Sequence, residues 1–165
     1  MRTLTVVLGL VGLCVGLPLH AAAQRGAAAP LGATLLRTYA GSYDTDGLLG
    51  HARVRPRLAA LLGTERAHLE RNLEVRGSVD VIGGELSIDG NASHGGTEEE
   101  AVVCISGDGP TVTAAILSSG VITVYAGVSG YDEITRCIKD WITQANSRHR
   151  DRLVKPANVR LARRP

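Results

Sequence analysis

The sequence contains no phenylalanine, one tryptophan and four tyrosines, so aromatic residues make up only 3% of its 165 positions. A chain so poor in aromatic rings has little material for both a core and a deep active-site cavity. Cysteine is nearly as scarce. Three are present, Cys14, Cys104 and Cys137, and the last two have no nearby Cys or His to complete the four-ligand set of a closed zinc site. Neither sign of charge dominates, with 18 Lys and Arg against 16 Asp and Glu for a net +2. From Ala101 onward the apolar runs are broken every five to eight residues, far short of the roughly 20 that cross a bilayer.

One long apolar run does exist, at the start. Arg2 precedes an apolar stretch from Leu4 to Leu19, Pro18 breaks it, and Ala21–Ala22–Ala23 follows. A basic first region, an apolar core and small residues at the −3 and −1 positions form the pattern of an export signal, cut after Ala23. The expected location is therefore periplasmic or secreted. In that setting disulfides persist, and Cys104 and Cys137 allow one pairing; Cys104 as a small core hydrophobe is the other reading. Charge is uneven along the rest. The last eighteen residues carry Arg148, Arg150, Arg152, Lys155, Arg160, Arg163 and Arg164 against Asp151 alone, a net +6. Such a tail attracts anionic envelope surfaces. No aromatic residue interleaves the arginines to stack on bases, so no nucleic-acid role is expected.

The periodicity outlines four parts: signal 1–23, a leader and arm 24–53, a single domain 54–146 and a basic, disordered tail 147–165. Within the arm, 31–39 reads as a brief helix or an extended segment, and 41–47 is dense in turn formers. Pro56 suits the first turn of a helix that carries Leu58, Leu61, Leu62, Leu69 and Leu73 on one side. Gly63 makes it either one helix with a costly glycine or two short helices. The period then changes to two. Val79–Ile82 and Glu85–Ile88 flank Gly83–Gly84, a tight hairpin signal. Ala101–Ile105, Thr111–Leu117 and Val121–Tyr125 are three more strands, and their short connections require an antiparallel meander. Asp132–Asn146 reads as a closing helix with Ile134, Ile138, Trp141, Ile142 and Ala145 on one face and Asp132 and Glu133 at its positive end. Trp141 is expected to plug that helix onto the sheet. The fold class expected is α+β, a central antiparallel sheet of about five strands packed by an N-terminal-side helix and a C-terminal helix.

Chemistry-bearing residues concentrate in one loop, Asp89 to Glu100, where His94 stands among glycines beside Glu98–Glu99–Glu100. Ser93 next to His94 is no catalytic pair, because adjacent loop side chains rarely form the nucleophile, base and orienting acid that acyl transfer needs. Gly107–Asp108–Gly109–Pro110 lacks the helix and lysine of a phosphate cradle. His51 and His68 have no complementary partner in sequence, and no two carboxylates have an argued reason for separated pKa values. No enzyme, metal or cofactor is expected from these residues.

The order of a Leu-rich helix, a hairpin, the Gly90–Asn91–Ala92–Ser93–His94–Gly95–Gly96 loop and Ala- and Val-rich strands resembles the exported bacterial inhibitors of vertebrate lysozyme, over roughly Val54 to Trp141. In that family the loop reads approximately Gly–Cys–Lys–Pro–His–x–Cys–Gly, held by a disulfide, and its histidine enters the cleft of a C-type lysozyme and contacts the catalytic carboxylates. Gly90 and His94 match; Asn91 and Gly96 stand at the cysteine positions, Ala92 at the lysine's and Ser93 at the proline's. The resemblance implies a non-enzymatic protein that binds a C-type lysozyme or another glycoside hydrolase and pairs with itself in some cases, here as a diverged member lacking the loop disulfide. His94, Ser93, Asn91, Glu98 and Glu99 are the partner-binding residues it suggests. The rival reading is an envelope-associated structural or polyanion-binding protein with no lysozyme target.

Overall fold

A computed structural model describes residues 31–106, 111–147 and 156–162. The export signal, the leader to Pro30, the Gly107–Pro110 turn and the basic residues 148–155 and 163–165 lie outside the described residues. The described chain is an α+β fold. Four short helices precede the sheet: α1 (Leu31–Tyr39), α2 (Thr45–Gly50), α3 (Arg55–Leu62) and α4 (Arg66–Arg71). The turn-rich 41–47 segment turns out to start a helix, because the Asp44 carboxylate accepts the Gly47 N–H at 2.9 Å and satisfies one of the first-turn donors that a helix leaves unpaired. Pro56 sits in the first turn of α3. Gly63, at φ 54°, then breaks the chain into a 3₁₀ turn over Gly63–Glu65 before α4, so the leucine-bearing segment is two helices.

Seven strands follow: β1 (Val75–Arg76), β2 (Asp80–Ile82), β3 (Glu85–Asn91), β4 (Glu99–Ser106), β5 (Val112–Ser118), β6 (Val121–Tyr125) and β7 (Val159–Leu161). Their order is β1-β3-β4-β5-β6-β7, with β2 also paired to β3. All pairings are antiparallel except β6 with β7. The two-residue turns Gly83–Gly84 and Ser119–Gly120 each have positive φ at both central residues, the backbone twist that two-residue hairpins favour. The expected count of about five strands is exceeded at the two ends. β1 is a two-residue edge. β7 lies within the expected disordered tail and is drawn onto the sheet by an Asn146–Asn158 pair that exchanges hydrogen bonds at 3.1 and 3.0 Å, while Asn158 also donates to the Gly120 carbonyl.

The sheet is covered on both faces. Leu35, Leu48, Leu58, Leu69, Ile88 and Val103 belong to the core beneath α1 to α4. Val102, Cys104, Leu117, Ile122 and Val124 pack on the opposite side against α5 (Arg136–Ala145), which contributes Ile138, Trp141 and Ile142. Strands buried on both faces have no polar side to show, which is why 101–105 and 112–117 read as continuous apolar runs. Trp141 is buried in that second core, as its spacing suggested. The helix begins later than its amphipathic pattern implied. Asp132 and Glu133 lie in a separate 3₁₀ turn (Tyr131–Glu133), and the positive end of α5 is met instead by Glu85, a buried carboxylate that accepts the Cys137 N–H at 3.3 Å.

Cys104 of β4 and Cys137 of α5 form a disulfide with Cα atoms 6.2 Å apart. It spans 33 residues of sequence, and closing a loop of that length restricts the unfolded chain enough to stabilise the fold by roughly 3–4 kcal/mol. A Cys104→Ala/Cys137→Ala double variant is expected to lose about that amount in urea unfolding. A loss below about 1 kcal/mol would show that the bridge is not a stabilising tie.

Candidate functional site

β3 and β4 pair from Glu85↔Ser106 through Asn91↔Glu100. Asp89 to Asn91 and Glu99 to Glu100 are therefore strand, and the loop expected over 89–100 shrinks to 92–98. Its neck is closed by the Ala92 N–H donating to the Glu99 carbonyl at 2.9 Å, and two successive turns follow, Gly95 N–H to Ala92 C=O at 2.9 Å and Glu98 N–H to Gly95 C=O at 3.1 Å. His94 is the third residue of the first turn and takes φ 62°, a left-handed conformation that His, Asn and Asp tolerate better than most side chains. It is exposed, as is Ser93. Gly95 is required by close packing, since a Cβ there would stand 2.9 Å from the Ala92 Cβ and 3.0 Å from the Glu99 Cβ.

Beneath this turn lies a polar clamp. The Glu99 carboxylate accepts the Ser118 hydroxyl at 2.6 Å on one oxygen and the Asn72 side-chain amide at 3.1 Å on the other, where His68 Nε2 also lies 3.1 Å away. Asn72, fully buried, donates further to the carbonyls of Glu100 and Leu117. One carboxylate thus joins the loop's outgoing strand to α4 and β5. The incoming side is held as well, by the Ser93 N–H donating to Glu74 at 3.3 Å and the Asn91 side chain donating to the Ala92 carbonyl at 2.9 Å. Burial by itself raises the Glu99 carboxyl, but the hydrogen bonds from Ser118, His68 and Asn72, with the charge of His68, outweigh it and hold Glu99 below its ordinary value. Asp89 goes the other way, pushed up by burial and by the neighbouring Asp80 carboxylate. These two acids do not form a pair. Strand alternation sends Glu99 to the helix-covered face with Ala101 and Val103 and sends Asp89, opposite Val102, to the α5 side.

The five loop residues singled out in the sequence therefore divide by role. His94, Ser93 and Glu98 are exposed, Asn91 braces the neck, and Glu99 is turned inward. The expectation that His68 has no complementary partner is corrected by the same clamp, where it meets Glu99 at 3.1 Å and Glu65 at 3.4 Å. Glu65 and His68 at a three-residue spacing are legible as helix neighbours. Asn72 and Ser118 carried no such signal, because their partner is 27 and 19 residues away. Among the described residues no three His, Cys, Asp or Glu side chains converge as a metal site.

A sheet covered on both faces thus carries one short, braced loop with His94 exposed at its tip. The family model described as inhibitor of vertebrate lysozyme (Ivy) matches residues 53–148. That is more than half of the chain, and the chain belongs to this family. No curated protein and no solved structure matches it. Inhibitors act by occupying a target, so the protein is a binding protein and not an enzyme. The expectation of a diverged member lacking the loop disulfide is corrected by the Cys104–Cys137 bridge, which ties β4 to α5.

A carboxyl held below its ordinary 4.5 in the folded protein contributes stability that is complete above that value and is lost as pH falls through the lowered one. Glu99→Gln is thus expected to flatten the acid limb of the stability profile below pH 4.5, read as the difference between variant and wild type in urea unfolding from pH 7 to 3. Parallel profiles for the two proteins would remove Glu99 from the clamp.

Proposed function

We propose that the protein is exported and inhibits a C-type lysozyme, or a glycoside hydrolase with a similar cleft, by inserting His94. The observation that carries this reading is the exposed His94 at positive φ on a loop whose neck and underside are hydrogen-bonded on both strands. A loop braced in this way gives up less conformational entropy on entering a cleft than a free one. Charge supports the same direction. Glycoside hydrolase clefts are lined by paired carboxylates, to which an imidazole can donate a hydrogen bond or offer a positive charge. The acidic run next to His94 opposes entry less than its sequence suggests, since Glu99 is committed to Ser118, Asn72 and His68 and leaves Glu98 as the exposed acid of the 92–98 loop. Ser93 and Glu98 are the flanking contacts in this reading, with Asn91 and Glu99 holding the loop in shape. Family membership supports a lysozyme-inhibitory role in general, and the pattern of residues 1–23 supports a periplasmic or secreted location.

Purified Gln24–Pro165 is expected to slow lysis of a cell-wall suspension by C-type lysozyme at micromolar concentration. His94→Ala is expected to weaken that inhibition at least about tenfold, the loss of a central interface residue of roughly 1.4 kcal/mol or more. Undiminished lysis with the wild-type protein, or equal inhibition by the variant, would contradict the proposal.

A further inference from the structure

Next to the clamp, and sharing His68 and Ser118 with it, a groove of about 340 Å³ opens between the 3₁₀ turn–α4 segment and the outer strands β6 and β7. Ile116, Thr123 and Arg160 are register partners across β5, β6 and β7, so their side chains share one face of the sheet. Its volume falls within the roughly 300–1,000 Å³ of small-molecule sites. The lining is mixed, with Ile116, Val121 and the Tyr125 ring as apolar surface and Ser119, Glu65 and Arg160 among its polar groups.

Two features bear on what it could hold. Arg160 Nε donates to the Thr123 hydroxyl at 2.7 Å, which fixes the guanidinium, and its two terminal nitrogens make no hydrogen bond within the described residues. Among the described residues no carboxylate pairs with it. A planar fork of this kind is suited to a carboxylate, held through two parallel hydrogen bonds. The Tyr125 hydroxyl is within electrostatic reach of both Arg160 and Glu65, the first opposing and the second adding to the upward push that burial gives it. The groove therefore offers positive charge, negative charge and a phenol together.

We propose that this groove binds a small sugar acid, its carboxylate on Arg160 and Tyr125 and its hydroxyls on Glu65 and Ser119. Glu65 disfavours a doubly charged anion such as phosphate but accepts hydrogen bonds from ligand hydroxyls. The apolar floor takes the C–H face of a pyranose ring, the usual partner of an aromatic side chain at a sugar site. The site does not depend on lysozyme inhibition, and His94 is not among the residues that line it.

Titration of the Gln24–Pro165 protein with glucuronate, followed by amide and arginine side-chain NMR shifts, tests the assignment. Glucuronate is expected to give saturable millimolar shifts at Tyr125 and Arg160, acetate to bind at least about tenfold more weakly, and glucose to give no saturable shift. Arg160→Gln and the more conservative Tyr125→Phe are each expected to weaken glucuronate binding several-fold with lysozyme inhibition unchanged. No saturable shift with glucuronate, undiminished binding by both variants, or acetate or glucose binding as tightly as glucuronate would overturn the proposal.

Discussion

Strand β4 is buried on both faces, and its alternation fixes what each face of the molecule can do. One side of β4 carries Glu99, Ala101, Val103 and Ile105 toward the helices, the other carries Val102 and Cys104 toward α5. A slip of one residue would move Glu99 away from His68, Asn72 and Ser118 and would turn Cys104 from Cys137, so the register is determined twice, by a carboxylate and by a covalent bond. The seven-residue pairing with β3 then sets where the histidine-bearing loop leaves the sheet.

The same strand supplies rigidity by two different means. At its start, hydrogen bonds to one partly exposed carboxylate hold the loop, an arrangement sensitive to acid. Further along, the disulfide holds α5 to the sheet and does not titrate. A binding loop needs the first kind of support close to it, because local order there lowers the entropy lost on docking. The second kind preserves the platform. A chain with so few aromatic side chains gains more than most from such a tie, since its core relies on Leu, Ile, Val and Ala, with Trp141 as its largest apolar anchor.

Much of the architecture is legible in the residues themselves. The Gly83–Gly84 turn, the three apolar strands and their short connections lead directly to the observed meander, and the interruption at Gly63 is where the helix divides. The parts that escape reading all depend on distant partners. Val159–Leu161 is three residues long and sits among arginines; it becomes a strand because Asn158 bonds to Asn146 and Gly120, a relation with no local pattern. α5 starts at Arg136 instead of Asp132 because a buried Glu85, about fifty residues earlier, meets its N-terminus. At the loop, His94 and its glycines announce an exposed turn. The inward direction of Glu99 does not follow from three adjacent glutamates, for only pairing of Asn91 with Glu100 decides which of them faces the helices.

The central claim is that residues 92–98 are the surface that meets the target. Hydrogen exchange of the protein alone and in a mixture with C-type lysozyme addresses it directly. The account predicts new protection at 92–98, centred on His94, with the amides of β4 and β5 unchanged. Protection confined to another surface, with the loop exchanging as it does in the free protein, would contradict it.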